Sequence, residues 1–378
     1  MNKKIVLSGV NMVEGGILTV YRNVIKSLSR HDDLDIICLV HDKNLFLAYK
    51  KENVKFIEYK NIKNSWLKRL LFEYIISWFI CFKIKPQVWF SLHDITAFIP
   101  KTTQLVYCHN PSPFYKSNYS EWKLDKKFFL FTLFYKWLYK INIKSNKSVI
   151  VQQNWIANSF HKWFGIDNVV IAKPNVVATL DGHTKNIPLE NKYKKEIIFF
   201  YPAVPRVFKN FDVILDALKI LKVENNEIYS KIKIKLTFDK GFNLCGDYFI
   251  DKCKKEKIES IEFIGFQDQA KVADIYTNEA DCLLFPSKLE TWGLPLSEAK
   301  FYGLPILASD LQFSHETVGS YDKVKFFDPE KANDLAIDIV SFTLDRLIYD
   351  KNYFYDENKW PTYNSWNDLA DYVVSLAK

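Results

Sequence analysis

The 378-residue chain reads as α/β, two doubly wound domains in tandem, and three observations say so. Strand-length apolar runs alternate with helix-length amphipathic stretches, the pattern of βαβ units. The strands are near-continuous in Val, Ile, Leu and Phe rather than alternating, as in parallel sheets covered on both faces. The alternation also stops once, in the polar stretch LDGHTKNIPLENKYKK, and then restarts. In the first half, KKIVLSGV is a strand, followed by a Gly-containing loop and the helix ILTVYRNVIKSLSR. LDIICLVHD, VKFIEY, QVWFSLHD, QLVYCHN and SVIVQQ are further strands. Past the polar stretch come EIIFFYPAV, the helix FDVILDALKIL, and the strands KIKLTF, SIEFIGF, ADCLLFP, LPILAS and KVKFFD. The length suits two domains of about 150–200 residues. The expected boundaries are 1–180, 181–350 and a C-terminal segment 351–378.

Hydrophobic residues make up 48% and charged residues 25%, with 11 Gly and 13 Pro, which excludes fibrous and disordered classes. The six cysteines show no close pairing, so free thiols in a reducing compartment are expected. MNKKIVLSGV runs straight into a strand with no leader-like segment, so the expected location is cytoplasmic, with peripheral attachment to the inner face of the inner membrane as an extension. Net charge is +8 but uneven: residues 1–180 hold 26 Lys and Arg against 12 Asp and Glu, and the remainder holds 26 against 32. An anionic partner is therefore expected on the first half. No nucleic-acid reading motif is present, so nucleic acid ranks below a membrane face or a phosphorylated substrate. Two segments of that half, WLKRLLFEYIISWFICFKIK and KLDKKFFLFTLFYKWLYKINIK, are aromatic and basic. Charges interrupt both, so neither is a membrane span. They are either buried helices packed on the sheet or helices lying at a membrane surface.

The chemistry concentrates in FPSKLETWGLPLSEAKFYGLPILASD, residues 285–310. A strand ends at Phe285, a loop carries Glu290, and a short helix with Pro295 in its first turn carries Glu298. Gly303 and Pro305 stop that helix. Its N-terminus offers unpaired N–H groups and partial positive charge, a place for a diphosphate. Carboxylates on either side suit sugar hydroxyls, which is the order of parts in a nucleoside diphosphate-sugar. Asp33-Leu-Asp35 spells DxD but opens a strand, so it is read as a solvated turn and no metal site is expected.

With those residues in place, the stretch resembles the donor-binding signature of the retaining GT-B glycosyltransferases of family 4, also called glycosyl transferases group 1. Glu290 and Glu298 match the E-x7-E pair, and Pro286, Ser287, Gly293, Leu294, Pro295, Ala299, Gly303, Pro305, Ser309 and Asp310 match in type. Trp292 stands where a Phe is usual. YPAVPRVFKNFDVILDAL is similar to the family's phosphate-binding strand–loop–helix. Lys209 matches the clamp Lys, whereas Arg206 lies three residues before it rather than the commoner five. Gly15-Gly16 resembles the Gly-rich loop near the donor phosphates, and NSWNDLADYVV resembles the terminal helix that packs back on the N-terminal domain.

The resemblance implies a GT-B fold: two Rossmann-like domains facing across a cleft, with a nucleotide-sugar co-substrate and no metal or other cofactor. It implies catalytic roles for His109, Lys209 and Glu290. Donor binding falls to Gly15, Gly16, Arg206, Lys209, Glu290, Thr291, Trp292, Gly293, Leu294 and Glu298. The acceptor side falls to the strand-end residues His93, Asp94, His109 and Asn110. The expected reaction is retaining transfer of a hexose or deoxyhexose to a saccharide hydroxyl. The expected acceptor rides on an undecaprenyl diphosphate carrier at an anionic membrane surface, in O-antigen, capsule or similar polysaccharide assembly. A nucleotide-sugar 2-epimerase and a non-catalytic sugar-nucleotide- or polysaccharide-binding subunit are the alternatives.

Overall fold

The computed structural model describes residues 2–63, 65–174, 195–351 and 359–377. All of the expected linker except Lys195 lies outside them. The chain forms two compact units, Met1–Pro113 with Phe134–Asn175 and Asp356–Lys378, and Phe114–Leu133 with Val176–Tyr355. The excursion of residues 114–133 into the second unit escapes a single boundary at 180, because it rests on long-range partners such as Arg206 that no local pattern shows.

The first unit is built on β1 (Lys3–Gly9), α1 (Gly15–Leu28), β2 (Leu34–Val40), β3 (Val54–Glu58), α2 (Trp66–Leu71), a π-helical turn (Phe72–Ile76), α3 (Ser77–Ile84), β4 (Val88–Ser91) and β5 (Thr103–Tyr107). After α4 (Lys126–Lys140), whose N-terminal half belongs to the second unit, come β6 (Ser148–Val151), α5 (Asn154–Phe164) and β7 (Val169–Ala172). The second unit continues with β8 (Ile197–Tyr201), α6 (Phe211–Glu224), α7 (Asn226–Lys231), β9 (Ile232–Leu236), α8 (Leu244–Lys255), β10 (Ile261–Phe263) and α9 (Gln269–Asp274). It ends with β11 (Cys282–Phe285), α10 (Leu294–Phe301), β12 (Ile306–Ser309), α11 (Gln312–Val318), β13 (Val324–Phe327) and α12 (Ala332–Thr343). The tail, β14 (Thr362–Tyr363) and α13 (Trp366–Ser375), returns to the first unit.

All strand pairs are parallel, in the orders β14-β7-β6-β5-β4-β1-β2-β3 and β10-β9-β8-β11-β12-β13. β1 shows why its apolar run is unbroken. Ile5 and Leu7 pack with α1 and with Trp366, Leu369 and Val373 of α13, while Val6 faces the opposite layer with Phe72, Cys81 and Trp89. Every expected strand is present. β7 and β14 were not foreseen, being only four and two residues long.

Cys38, Cys81, Cys108, Cys253 and Cys282 are buried free thiols, and Cys245 is half-buried. Asp33 precedes β2 and its carbonyl accepts from the Lys3 N–H at 3.0 Å. Among the described residues no group of three or more His, Cys, Asp or Glu converges as a metal site. No described helix is long and apolar enough to cross a membrane.

Candidate active site

The second sheet reads 3-2-1-4-5-6 in its own strands, so its order reverses between β8 and β11. In open parallel sheets the loops leaving the carboxyl ends at such a point form the ligand crevice. Here those loops carry Arg206 and Lys209 after β8, and Glu290 through Gly293 after β11. The backbone ties them together. Lys288 N–H donates to Phe208 O at 2.8 Å, and Asn210, held at φ 57°, donates its side-chain amide to Pro286 O at 3.1 Å and Pro329 O at 2.9 Å.

Across this junction Lys209 Nζ pairs with Glu290 Oε1, with side chains only 14% and 15% exposed. Ser287 Oγ donates to the same carboxylate at 2.8 Å, and the Lys209 ammonium lies over the Phe208 and Phe285 rings at 5.6 and 5.8 Å. A half-buried pair of this kind is costly to desolvate and weak evidence for a stabilising role. The pair sits at the switch point of the second sheet. α10 begins directly after Glu290-Thr291-Trp292, on Gly293 at φ 82° with Pro295 in the first turn. Trp292 donates its indole N–H to Ser297 Oγ at 2.9 Å, and its carbonyl accepts from the Thr317 hydroxyl, which pins the loop to α10 and α11. Leu294 is exposed at the start of α10. Burial pushes the Glu298 carboxyl up to about 6, with the Tyr276 hydroxyl beside it pulling the other way.

Arg206 stands apart from the Lys209–Glu290 pair. Its Nε meets Asp125 Oδ2 at 2.5 Å, and its guanidinium lies over Phe128 and Phe208. It anchors the 114–133 excursion, a role its sequence position did not announce.

In the first unit the order reverses between β1 and β4. Gly15, at φ 64°, and Gly16 are exposed at the start of α1, with Glu14 as its N-cap residue. The loop after β4 holds His93 and Asp94 inside the unit, with side chains 1% and 7% exposed. His93 Nε2 lies 3.1 Å from Ser8 Oγ and 3.2 Å from Glu73 Oε1, and Arg69 Nη2 lies 3.3 Å from its Nδ1 while donating to its carbonyl. Burial drives the His93 pKa well below its ordinary value and pushes the Glu73 carboxyl up to about 8, with the Arg69 guanidinium lowering both. Neither Glu73 oxygen has an aligned donor among the described residues.

Asp94, at φ 75°, organises the loop after β5. Its Oδ1 accepts from the N–H groups of His109 at 2.7 Å and Asn110 at 3.1 Å and from Tyr139 OH at 3.1 Å, while Oδ2 accepts from Tyr135 OH at 2.9 Å. His109 Nε2 stands 3.7 Å from Asp94 Oδ2, and its buried Nδ1 has no hydrogen-bond partner among the described residues. Burial lowers the His109 pKa against the pull of Asp94.

The structure thus gathers Lys209, Glu290, Thr291, Trp292, Gly293 and Leu294 at one switch point, with Glu298 further along α10. It gathers His93, Asp94, His109 and Asn110 near the other. It does not bring Arg206 to the Lys209–Glu290 pair. Sequence reasoning missed Arg69, Glu73, Tyr135 and Tyr139. The four-residue recurrence Arg69, Glu73, Ser77, Cys81 inside an apolar helix was the available signal.

Residues 184–358 match the family Glycosyl transferases group 1. The chain is 24% identical over 342 residues to the O-antigen chain mannosyltransferase RfbU of Salmonella typhimurium, covering 85% of this chain and 86% of that protein. It is 28% identical over 195 residues to an uncharacterized 41.2 kDa protein in the cps region of Klebsiella pneumoniae, and there the match spans about half of each protein, 48% and 50%. Among solved structures it is similar to the lipopolysaccharide outer core galactosyltransferase WaaB at TM-score 0.65 and 14% identity, over 99% of both chains. HepE of Anabaena, solved in complex with UDP and glucose, gives TM-score 0.60 at 13% identity over 100% and 97%. The two parallel-sheet units have the GT-B fold, residues 184–358 form a glycosyl transferases group 1 domain, and the chain is a glycosyltransferase.

Proposed function

We propose that the chain transfers a hexose or deoxyhexose, with retention, from a nucleoside diphosphate-sugar to a saccharide hydroxyl in O-antigen, capsule or similar polysaccharide assembly. The proposed acceptor rides on an undecaprenyl diphosphate carrier at an anionic membrane surface. The observation that carries the reading is the Lys209–Glu290 pair at the switch point of the second sheet, beside the start of α10. An arriving diphosphate competes for the Lys209 ammonium and for the N–H groups of α10, which releases Glu290 to the hydroxyls of the sugar. These groups neutralise the leaving diphosphate in this reading, so it calls for no metal. Glu298 takes the ribose. As the bond from the sugar to phosphate breaks, the acceptor oxygen bonds to the same face and its proton passes to the departing phosphate oxygen. His109 and Asn110, held by Asp94 and with His93 behind them, serve the acceptor side, and Gly15 and Gly16 serve the donor phosphates. The relatives named for O-antigen and for a cps region support the polysaccharide setting, and HepE with UDP supports the donor class.

A thermal-shift panel with UDP, GDP, dTDP, ADP and their sugar conjugates tests this. One nucleotide should stabilise the protein by about 2.7 kcal/mol at a hundredfold excess over its dissociation constant. Lys209→Ala and Glu290→Ala should each cut turnover roughly a hundredfold with the fold intact. No response to any nucleotide would favour a binding subunit instead.

A further inference from the structure

The segment Trp66–Ile84 is a helix with its polarity inside out. Arg69, Glu73, Ser77 and Cys81, each four residues after the last, are buried. Leu67, Leu71, Ile75, Trp78, Phe79 and Phe82 are exposed, Leu67 by 77% and Phe82 by 72%. A helix facing water carries the opposite arrangement. In a regular α-helix a four-residue step drifts by about 40° at 3.6 residues per turn, so such a stripe would wind around the axis. The π-helical turn at Phe72–Ile76 resets the phase, and Arg69 and Glu73 reach His93. Phe98, also exposed, donates its backbone N–H to Glu73 O at 3.0 Å beside this turn and widens the apolar face.

We propose that the outer face of α2 and α3 lies in the interfacial layer of an anionic bilayer. The apolar stripe sits at the headgroup–acyl boundary, and Lys68, Lys83 and Lys85 meet lipid phosphates. This deepens the proposed membrane-borne acceptor, on which it rests, by naming the element that docks. Charge selects lipid over a protein partner. The segment's one acid, Glu73, is fully buried, so its exposed charges are all cationic, and Trp66 and Trp78 supply the amphipathic rings that favour the interface. The inward polar face gives the docking helix a direct link to His93 through Arg69.

Flotation of the full chain with vesicles of phosphatidylcholine containing about 30% phosphatidylglycerol tests the proposal. Wild type should float with them and far less with pure phosphatidylcholine. Phe79→Ser with Phe82→Ser should weaken partitioning roughly tenfold or more, and Lys83→Glu with Lys85→Glu should weaken it on anionic vesicles alone. Both pairs alter exposed side chains, so their thermal melts and nucleotide response should match wild type. Equal flotation of the serine pair overturns the proposal. So does a wild type that stays unbound, and if the serine pair then lowers its oligomeric mass, the stripe is a protein interface. Transfer to a soluble short-chain acceptor separates the two readings: intact transfer with lost flotation strikes only the bilayer, and absent transfer with intact flotation strikes only the enzyme.

Discussion

Glu298 illustrates how single residues here trade stability for chemistry. Its carboxyl is held up to about 6 against an ordinary 4.5, chiefly by burial. The folded protein therefore binds this proton more tightly than the unfolded chain does. The stability the group contributes is complete below pH 4.5 and is lost as pH rises through 6. Above pH 7 the buried carboxylate is a standing cost, the kind retained where function needs a charge. Glu298→Gln should raise the melting temperature at about pH 7.5, and the gain should shrink to nothing toward pH 4.5. The same variant should raise the dissociation constant for the nucleotide. Melting curves across that range and a nucleotide titration read both effects. Lys209, Glu290 and Glu298 were legible in the sequence because their loop and helix are continuous there. The Arg206–Asp125 pair was not legible, because its partners lie 81 residues apart.

At the scale of elements, α10 depends on how the residue capping its start turns. Gly293 sits at φ 82°, and a Cβ there would come 3.1 Å from Leu296 and 3.4 Å from Phe285. Gly293→Ala should cost about 1–2 kcal/mol from the left-handed backbone alone. It should also swing the helix start away from Glu290, so nucleotide affinity should fall by more than the melting temperature implies. Calorimetry beside thermal melts separates the two. Strand positions were legible because parallel strands buried on both faces cannot hide their composition. The inner faces of α2 and α3 were not. Arg69 and Glu73 look like interruptions of an apolar helix until the neighbouring His93 is seen. The sequence left that segment open between a buried helix and a surface one, and the structure gives it a buried polar side and an exposed apolar side.

For the whole molecule, the two sheets and the returning tail followed from alternation and from the likeness of NSWNDLADYVV to a terminal helix, whereas the 114–133 excursion did not. The tail is structural. Trp366, Leu369 and Val373 sit in the main core of the first unit, Tyr107 and Trp366 rings lie 6.3 Å apart, and Tyr372 reaches Ser148. Deleting residues 359–378 should remove several kcal/mol of burial. The expected result is a protein that melts at lower temperature and aggregates, checked by scanning calorimetry and light scattering.

That tail also sets an order of events during synthesis. β14 pairs with β7 and covers the outer strand of the first sheet, yet 186 residues lie between Lys173 and Trp360, whose neighbour Pro361 accepts the Ile171 N–H. While the ribosome makes the intervening stretch, β7 is a bare edge, the arrangement through which nascent chains pair wrongly. The second unit's six strands all emerge in that interval and can close among themselves. The half of the chain made first is therefore the half completed last, and its yield in the cell should depend on how well that waiting edge is shielded.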